Sequence, residues 1–272
     1  MASQLQTKQV FIPWLRRAQP AQADMRSGAT DAGRQLRGAC YRISKRCLDL
    51  VLGSILLCCS LPVIVIAAVA IRVESRGNPL FIQSRVGQDG KSFRIFKLRG
   101  MYIDARTRFP ELYDYSKHEN LDFHFHYERD PRITGVGSFI RKTSIDELPN
   151  FLNVVLGSMS LVGPRPEIPD VSALYGKYRE QYLAVKPGVT CLSKVSGRDL
   201  LTKEQTIRMD IAYIDNRSVA LDLKILWATF WSVINRRNVF GRGADFAKST
   251  WLDDRTDTVE CGGEICEEAS AR

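Results

Sequence analysis

A charge-free run from Leu50 to Ile71 constrains this chain more than any other stretch. It is long enough to cross a bilayer once as a straight helix, which takes about 20 apolar residues. Two features oppose crossing. Pro62 sits near the middle of the run, after Ser60 and Leu61, and a proline inside a helix breaks the hydrogen-bond ladder. Both flanks are basic: Arg42, Lys45 and Arg46 precede the run, and Arg72 and Arg76 follow it. Positive residues favour the cytoplasmic side, so each end is drawn to the same face. A helix that breaks at Ser60–Pro62 and returns to the face it entered satisfies both features. Ordinary spanning helices also carry prolines, so a single crossing with an external N-terminus stays open. A secretory signal would have a shorter apolar core nearer the N-terminus and a small-residue cleavage site, and none follows Ile71. On any of these readings the remainder of the chain is held on a membrane.

The 272 residues allow one fair-sized domain plus tails. With 44% hydrophobic and 25% charged residues, the chain is neither disordered throughout nor a polytopic membrane protein. Its net charge of +9 suits anionic partners: nucleic acid, a membrane surface or phosphorylated substrates. The seven cysteines show no metal-ligand spacing. Cys47, Cys58 and Cys59 lie in or beside the apolar run as small hydrophobes, so the thiols read as reduced and the main domain as cytoplasmic. Cys261 and Cys266 read as unremarkable thiols of an acidic tail. The organisation expected is a flexible basic leader over 1–40, a membrane helix over 41–76, a globular domain over 77–250 and a disordered acidic tail over 251–272. Within the leader only FIPWLRR, residues 11–17, has the makings of a short interfacial element.

Residues 79–101 predict two strands, around Leu80–Gln83 and Ser92–Lys97, joined by a turn at Gly87-Gln88-Asp89-Gly90. Arg85, Lys91, Arg94, Lys97 and Arg99 make this hairpin densely basic. Such a face can rest on anionic headgroups or hold a pyrophosphate, with Lys97 and Arg99 the first candidates. His118, His124 and His126 fall in a polar, aromatic stretch, 104–129, that reads as a surface loop, since no further ligand lies near the His-x-His pair. Amphipathic helices are expected over 170–184, about Lys203–Ile214 and about Leu221–Asn235, with loop-like sequence over 186–198. The last helix carries Trp227, Phe230 and Trp231, an aromatic face suited to core or membrane interface.

The chemistry concentrates in KTSIDELPNFLNVVLGSMSLVGPRP, residues 142–166. Ser144 and Glu147 are spaced as a capping box, and Pro149 fits only near a helix start. That places the acidic pair Asp146-Glu147 at a helix mouth, where backbone N–H groups favour anions and an ionised carboxylate serves as nucleophile or metal ligand. A rigid Gly-Pro-Arg-Pro segment carrying Arg165 closes the stretch, and Arg132, Arg141 and Lys142 precede it. First-turn acids are common decoration, but these sit among many cations suited to phosphate. No GxGxxG, Walker loop, Ser-His-Asp order, zinc signature or nucleic-acid module is present. The set suits phosphoryl transfer at a membrane, in which a carboxylate attacks phosphorus and cations neutralise the charge that develops.

DPRITGVGSFIRKTSIDELPNFLNVVLGSMSLVGPRP, with PLFIQSRVGQDGKSFRIFKLRGM before it and KPGVTCLSKVSGR after it, resembles the bacterial sugar transferase family. These are monotopic polyprenyl-phosphate phosphoglycosyl transferases. The resemblance runs from about Tyr41 to Ala244 and is closest to the small members that have the catalytic region without an added four-helix membrane domain. It implies an α/β fold, mostly helical, with a re-entrant membrane helix, a small sheet and interfacial amphipathic helices. It implies Asp146 as a nucleophile that attacks the β-phosphate of a UDP-sugar, releases UMP and carries the sugar phosphate. Undecaprenyl phosphate then takes that group to give the prenyl-diphosphate-sugar. Glu147 would bind Mg²⁺, Arg165 and Lys97 would bind phosphate, with Arg85, Arg99, Arg141 and Arg198 in support, and Ser60 and Pro62 would form the helix break. The implied partners are UDP-sugar, undecaprenyl phosphate and membrane lipid, with no nucleic acid and with a homo-dimer left open. The implied location is the cytoplasmic face of a bacterial inner membrane. Three positions depart from the pattern. Leu61 separates Ser60 from Pro62, Gly100 stands where Thr or Ser is common, and Cys191-Leu192-Ser193-Lys194 lacks the usual aromatic and replaces a neutral amide with Lys194. An inactive membrane adaptor with the same fold is the alternative reading.

Overall fold

A computed structural model describes residues 31–113, 130–196 and 201–235. Its helices are α1 (Asp31–Glu74), α2 (Ala105–Arg108), α3 (Gly135–Lys142), α4 (Asn150–Leu156), α5 (Pro169–Ala173), α6 (Arg179–Leu183), α7 (Leu192–Ser196), α8 (Lys203–Asn216) and α9 (Val219–Asn235). Its strands are β1 (Leu80–Val86), β2 (Ser92–Leu98), β3 (Ser160–Val162) and β4 (Gly188–Thr190). The fold is a mostly helical α/β arrangement with two small sheets and one long apolar helix. His118, His124, His126, Cys261, Cys266 and Arg198 lie outside the described residues, as do residues 11–17 and Ala244.

The apolar run forms half of α1, which stays helical through Ser60 and Pro62. The break expected there is therefore not a loss of helix. One proline removes one backbone hydrogen bond, and the turns on either side keep theirs. Ser60 Oγ donates to the Leu57 carbonyl at 2.9 Å, a local bond that often bends helices. The helix begins at Asp31, inside the stretch read as a leader.

Both ends of the apolar run are fastened to one body of elements. At the first end, Arg46 Nη1 and Nη2 donate to the carbonyls of Val154 (2.7 Å) and Val155 (2.9 Å), a cation at the C-terminal end of α4. Lys45 pairs with the buried Asp222 of α9 at 2.9 Å. Asp49, itself buried, accepts from Ser160 Oγ (3.0 Å) and Leu161 N (2.9 Å) and so carries β3. At the other end Ala67 and Ile71 pack with Leu98 of β2 and Ile140 of α3. The Glu74 carboxylate accepts from Val136 N at 3.0 and 3.1 Å, at the start of α3. Arg99, expected to hold phosphate, instead donates to the Ser75 carbonyl and hydroxyl (both 2.7 Å) and the Arg76 carbonyl (2.9 Å). It closes the C-terminus of α1, whose last carbonyls lack intrahelical donors. Between the two ends, Ile55, Leu61, Val65 and Ile66 are at least half exposed, Ile66 at 69%.

The hairpin forms as expected, with β1 and β2 antiparallel in the register Leu80↔Leu98 to Val86↔Ser92. Asp89 (φ 55°) and Gly90 (φ 75°) turn the chain in left-handed conformations. Asn153 fixes α4 to β2: its amide donates to the Arg94 carbonyl (2.7 Å) and accepts from Phe96 N (3.3 Å). The single helix expected over 170–184 is divided into α5 and α6, because Gly176 adopts φ 48° between them. The stretch expected as loop over 186–198 contains β4 and α7. The β4 strand forms because Gly188 lets it pair in parallel with β3: a Cβ on Gly188 would lie 2.1 Å from Gly163 N. Helix α8 starts on a reciprocal capping box of Thr202 and Gln205. The main core joins Ile95, Val154, Met159, Leu161, Val195, Tyr213 and Ile225 from the hairpin, α4, β3, α7, α8 and α9.

Asp49 thus carries both a strand and the helix that enters the apolar run. Asp49→Ala should cost about 2–3 kcal/mol, because it leaves a buried N–H and a hydroxyl without an acceptor. Asp49→Asn, which keeps an acceptor oxygen, should cost less. Thermal unfolding of the detergent-solubilised protein measures both.

Candidate active site

The acidic pair does not open a helix through a capping box. Ser144 has φ 59° and makes no capping bond with its side chain. A left-handed serine at this point turns the chain sharply after α3, and Ile145–Glu147 follows as a single 3₁₀ turn. Helix α4 begins only at Asn150, past Pro149. The pair is held by a strained turn between two helices, a backbone state that non-glycine residues adopt mainly where the surroundings demand it.

Glu147 is the electrostatic centre of the site. Its Oε1 faces Lys97 Nζ of β2 at 3.1 Å and Arg165 Nη1 at 3.7 Å. Its Oε2 is paired with Lys194 Nζ of α7. Burial alone would raise the Glu147 pKa, but Lys194, Lys97 and Arg165 outweigh it and hold the carboxyl well below the usual range. Asp146 behaves in the opposite way. Burial and then the Glu147 charge push its carboxyl up, with Lys97, Lys194 and Arg141 pulling it back only in part. The firmly ionised nucleophile read from the sequence is in fact the more basic member of the pair. Burial lowers the Lys97 pKa, against the pull of Glu147.

Arg165 sits on the loop after β3, with its side chain 44% exposed. The loop is fixed from below by Asp210 of α8, which is fully buried. Asp210 Oδ2 accepts from Arg165 N (3.3 Å) and Tyr182 Oη (3.0 Å), and Oδ1 accepts from Ser193 N (3.4 Å). Tyr182 Oη also contacts the Arg165 carbonyl at 3.0 Å. One carboxyl therefore ties the arginine loop to α7, the helix that carries Lys194. Burial pushes its pKa up to about 6, opposed by these hydrogen bonds.

Arg85, Lys97, Glu147, Asn150, Arg165 and Lys194 line a common cavity that is open to solvent, walled on its apolar side by Ile95, Met159 and Val189. Arg85 donates to the Pro166 carbonyl (3.3 Å) and to Gln83 Oε1 (2.7 Å), so it braces the arginine loop. The stem of Arg141 packs at Gly100, where a Cβ would meet its Cδ at 3.2 Å. The structure thus assembles Asp146, Glu147, Lys97, Arg165, Arg85 and Arg141 and removes Arg99. Arg198 is outside the described residues. Sequence reasoning did not assign Lys194, Asn150 or Asp210 to the site. Lys194 carried a signal as the charged residue in an otherwise small, apolar loop; Asp210 carried none, being one acid among several in an amphipathic helix.

The arrangement does not fit a divalent cation at Glu147 as the side chains stand. Both carboxylate oxygens already face ammonium or guanidinium groups. No group of three or more His, Cys, Asp or Glu suited to a metal occurs among the described residues.

Comparison with known proteins agrees with the motifs. Residues 40–236 match the family model described as bacterial sugar transferase. The chain belongs to the bacterial sugar transferase family. Among its relatives, a UDP-galactose-lipid carrier transferase of Erwinia amylovora is 38% identical over 73% of this chain and 42% of its own length. An undecaprenyl-phosphate glucose phosphotransferase of Komagataeibacter xylinus is 38% identical over 73% of this chain and 37% of its own. An uncharacterized sugar transferase, EpsL, of Bacillus subtilis (strain 168) is 37% identical over 71% of this chain and 88% of its own. The match thus spans about two-fifths of the length of the first two sugar transferases and most of the third.

If Asp210 ties the arginine loop to α7, Asp210→Ala should destabilise the protein by about 2–4 kcal/mol, because the backbone N–H groups of Arg165 and Ser193 lose their acceptor. A denaturant melt checks this. Asp210→Asn should fall between the variant and the parent.

Proposed function

We propose that this chain transfers a sugar phosphate from a UDP-sugar to undecaprenyl phosphate, at the cytoplasmic face of a bacterial inner membrane. One observation carries the reading: a carboxyl with raised basicity, Asp146, lies beside a cavity where Lys97, Arg165 and Lys194 converge on one glutamate. Three cations gathered on one carboxylate form a site for a group richer in negative oxygens than that carboxylate, and a diphosphate is such a group. The Erwinia relative's name specifies UDP-galactose and a lipid carrier, and that of the Komagataeibacter relative specifies undecaprenyl phosphate.

In the first half-reaction the diphosphate of the donor meets Lys97, Arg165 and Lys194, which orient it and balance its charge. An Asp146 oxygen attacks the β-phosphorus. The bond from that phosphorus to the bridging oxygen breaks, UMP leaves with the electron pair, and an aspartyl phosphosugar remains. In the second, an oxygen of undecaprenyl phosphate attacks the same phosphorus and releases the Asp146 carboxylate. The acceptor is a lipid, so the site has to stand at headgroup level. Fastening of both ends of the apolar run to the catalytic body supports a helix that returns to its own face. Exposed Trp227, Phe230 and Trp231 of α9 add an aromatic surface suited to the interface. Lys194, a departure from the family pattern, is built into the charge centre, which argues for a working site over an inactive adaptor.

The test is UMP release from UDP-sugars by the purified protein supplied with undecaprenyl phosphate. Asp146→Asn should lower release by at least about 10³-fold, since an amide is no nucleophile toward phosphorus. Labelled donor should leave a sugar phosphate on Asp146 in the parent protein; a label found on no residue, with turnover intact, would falsify the covalent route.

The pH profile follows from the direction of the Asp146 shift. The nucleophile acts ionised, and its pKa lies above the ordinary value. Activity should therefore be full above the raised value and fall as pH drops through it, with the acid limb of kcat/KM above that of an ordinary aspartate. Lys97 opposes the shift, so Lys97→Met should move that limb to still higher pH.

A further inference from the structure

We propose that Lys194 supplies, at Glu147 Oε2, positive charge that a divalent cation would otherwise provide, so that this chain binds a nucleoside diphosphate without a metal ion. The inference rests on the donor reading above and concerns how the same cavity holds that donor. Lys97 and Arg165 share Oε1, whereas Oε2 is paired with Lys194. A divalent ion held at Glu147 and completed by phosphate oxygens would compete with Lys194 for that oxygen. Lys194 already occupies it.

The lysine is also placed by rigid structure. Its helix, α7, is anchored by buried Leu192, Val195 and Ser196, by Ser196 Oγ donating to the Leu192 carbonyl (2.7 Å), and by Ser193 N on Asp210. The ammonium reaches the Val189 carbonyl at 3.5 Å as well as Glu147. With three donors and a flexible stem, it can keep Glu147 and still turn a proton to a phosphate oxygen in the cavity. Beside Lys97 and Arg165 it completes a cationic cradle made wholly of side chains.

Calorimetric titration of the detergent-solubilised full chain with UDP, once in excess EDTA and once in Mg²⁺, tests this. The parent protein should bind UDP in EDTA. Lys194→Gln should bind at least about tenfold more weakly there, the loss of one charge-assisted phosphate contact. Lys194→Arg, which keeps the charge, should stay within about threefold of the parent. In Mg²⁺ the gap between parent and Lys194→Gln should narrow, because the ion can then reach Oε2. Thermal melts of both variants confirm folding. Equal affinities of parent and Lys194→Gln in EDTA overturn the proposal, as does a parent that binds UDP only with Mg²⁺. UDP that fails to bind the parent even in Mg²⁺ overturns the donor reading, and this inference with it.

Discussion

Three cations from three separate elements meet on Glu147, and the placement of the site depends on that meeting. Lys97 arrives on β2, Arg165 on the loop after β3, and Lys194 on α7. Bringing such groups together in a half-buried cavity is costly unless a counter-charge lies between them. Glu147 is that counter-charge. It is also next in sequence to Asp146, so the same residue that permits the cluster raises the basicity of its neighbour. Removing Glu147 would leave like charges facing one another, and a loss of activity from that change would report collapse of the cavity as much as loss of chemistry.

The supporting structure can be understood as a set of devices that bring those three elements to one point. Asn153 fastens α4 to the edge of β2, which fixes the separation between the acidic turn and Lys97. Gly163 and Gly188 let β3 and β4 approach more closely than any side chain would allow, so the arginine loop and the strand before α7 lie together. Asp210 then joins the backbone of the loop to the backbone of α7. Each device acts on backbone position, where a shift of about 1 Å in a cation costs much of its catalytic value.

Much of this was legible in the chain and some was not. The hairpin and its turn follow from alternation and from Gly87 to Gly90, and the acidic pair and Arg165 stand out because proline and glycine frame them. The helices over α8 and α9 follow from their periodicity. Arg99 reads as a phosphate ligand because composition cannot tell a phosphate-binding arginine from one that closes a helix: both need the same planar donors, and the position of Ser75 and Arg76 sets them apart. Ser144 reads as a cap for a related reason. Its spacing to Glu147 satisfies the capping pattern, but the pattern presumes an extended backbone at the serine, and here the chain must turn left-handed to leave α3. Asp210 and Asn153 were invisible because their partners are backbone groups of distant segments, which leave no mark on local sequence.

The long helix raises the question of what a proline near its middle does when helical structure continues through it. A helix that crossed a bilayer would leave its two ends about 30 Å apart on opposite faces, and a body on one face could hold only one of them. Here Arg46, Asp49, Ile71 and Glu74 are all bound by elements of the same body, while the segment between exposes Ile55, Leu61, Val65 and Ile66. The exposed segment is apolar, and charged side chains, Arg46, Asp49 and Glu74, fasten both of its ends. That pattern suits a helix whose middle enters lipid and whose ends stay with the domain. Pro62 then matters less as a break than as a place where one missing hydrogen bond lets the helix bend at low cost, with Ser60 bonded to Leu57 one turn away. Depth of insertion would in turn be set by the polar fastenings at 45–49 and 74, and those same contacts run through α4, β3 and α3 to the turn that carries Asp146.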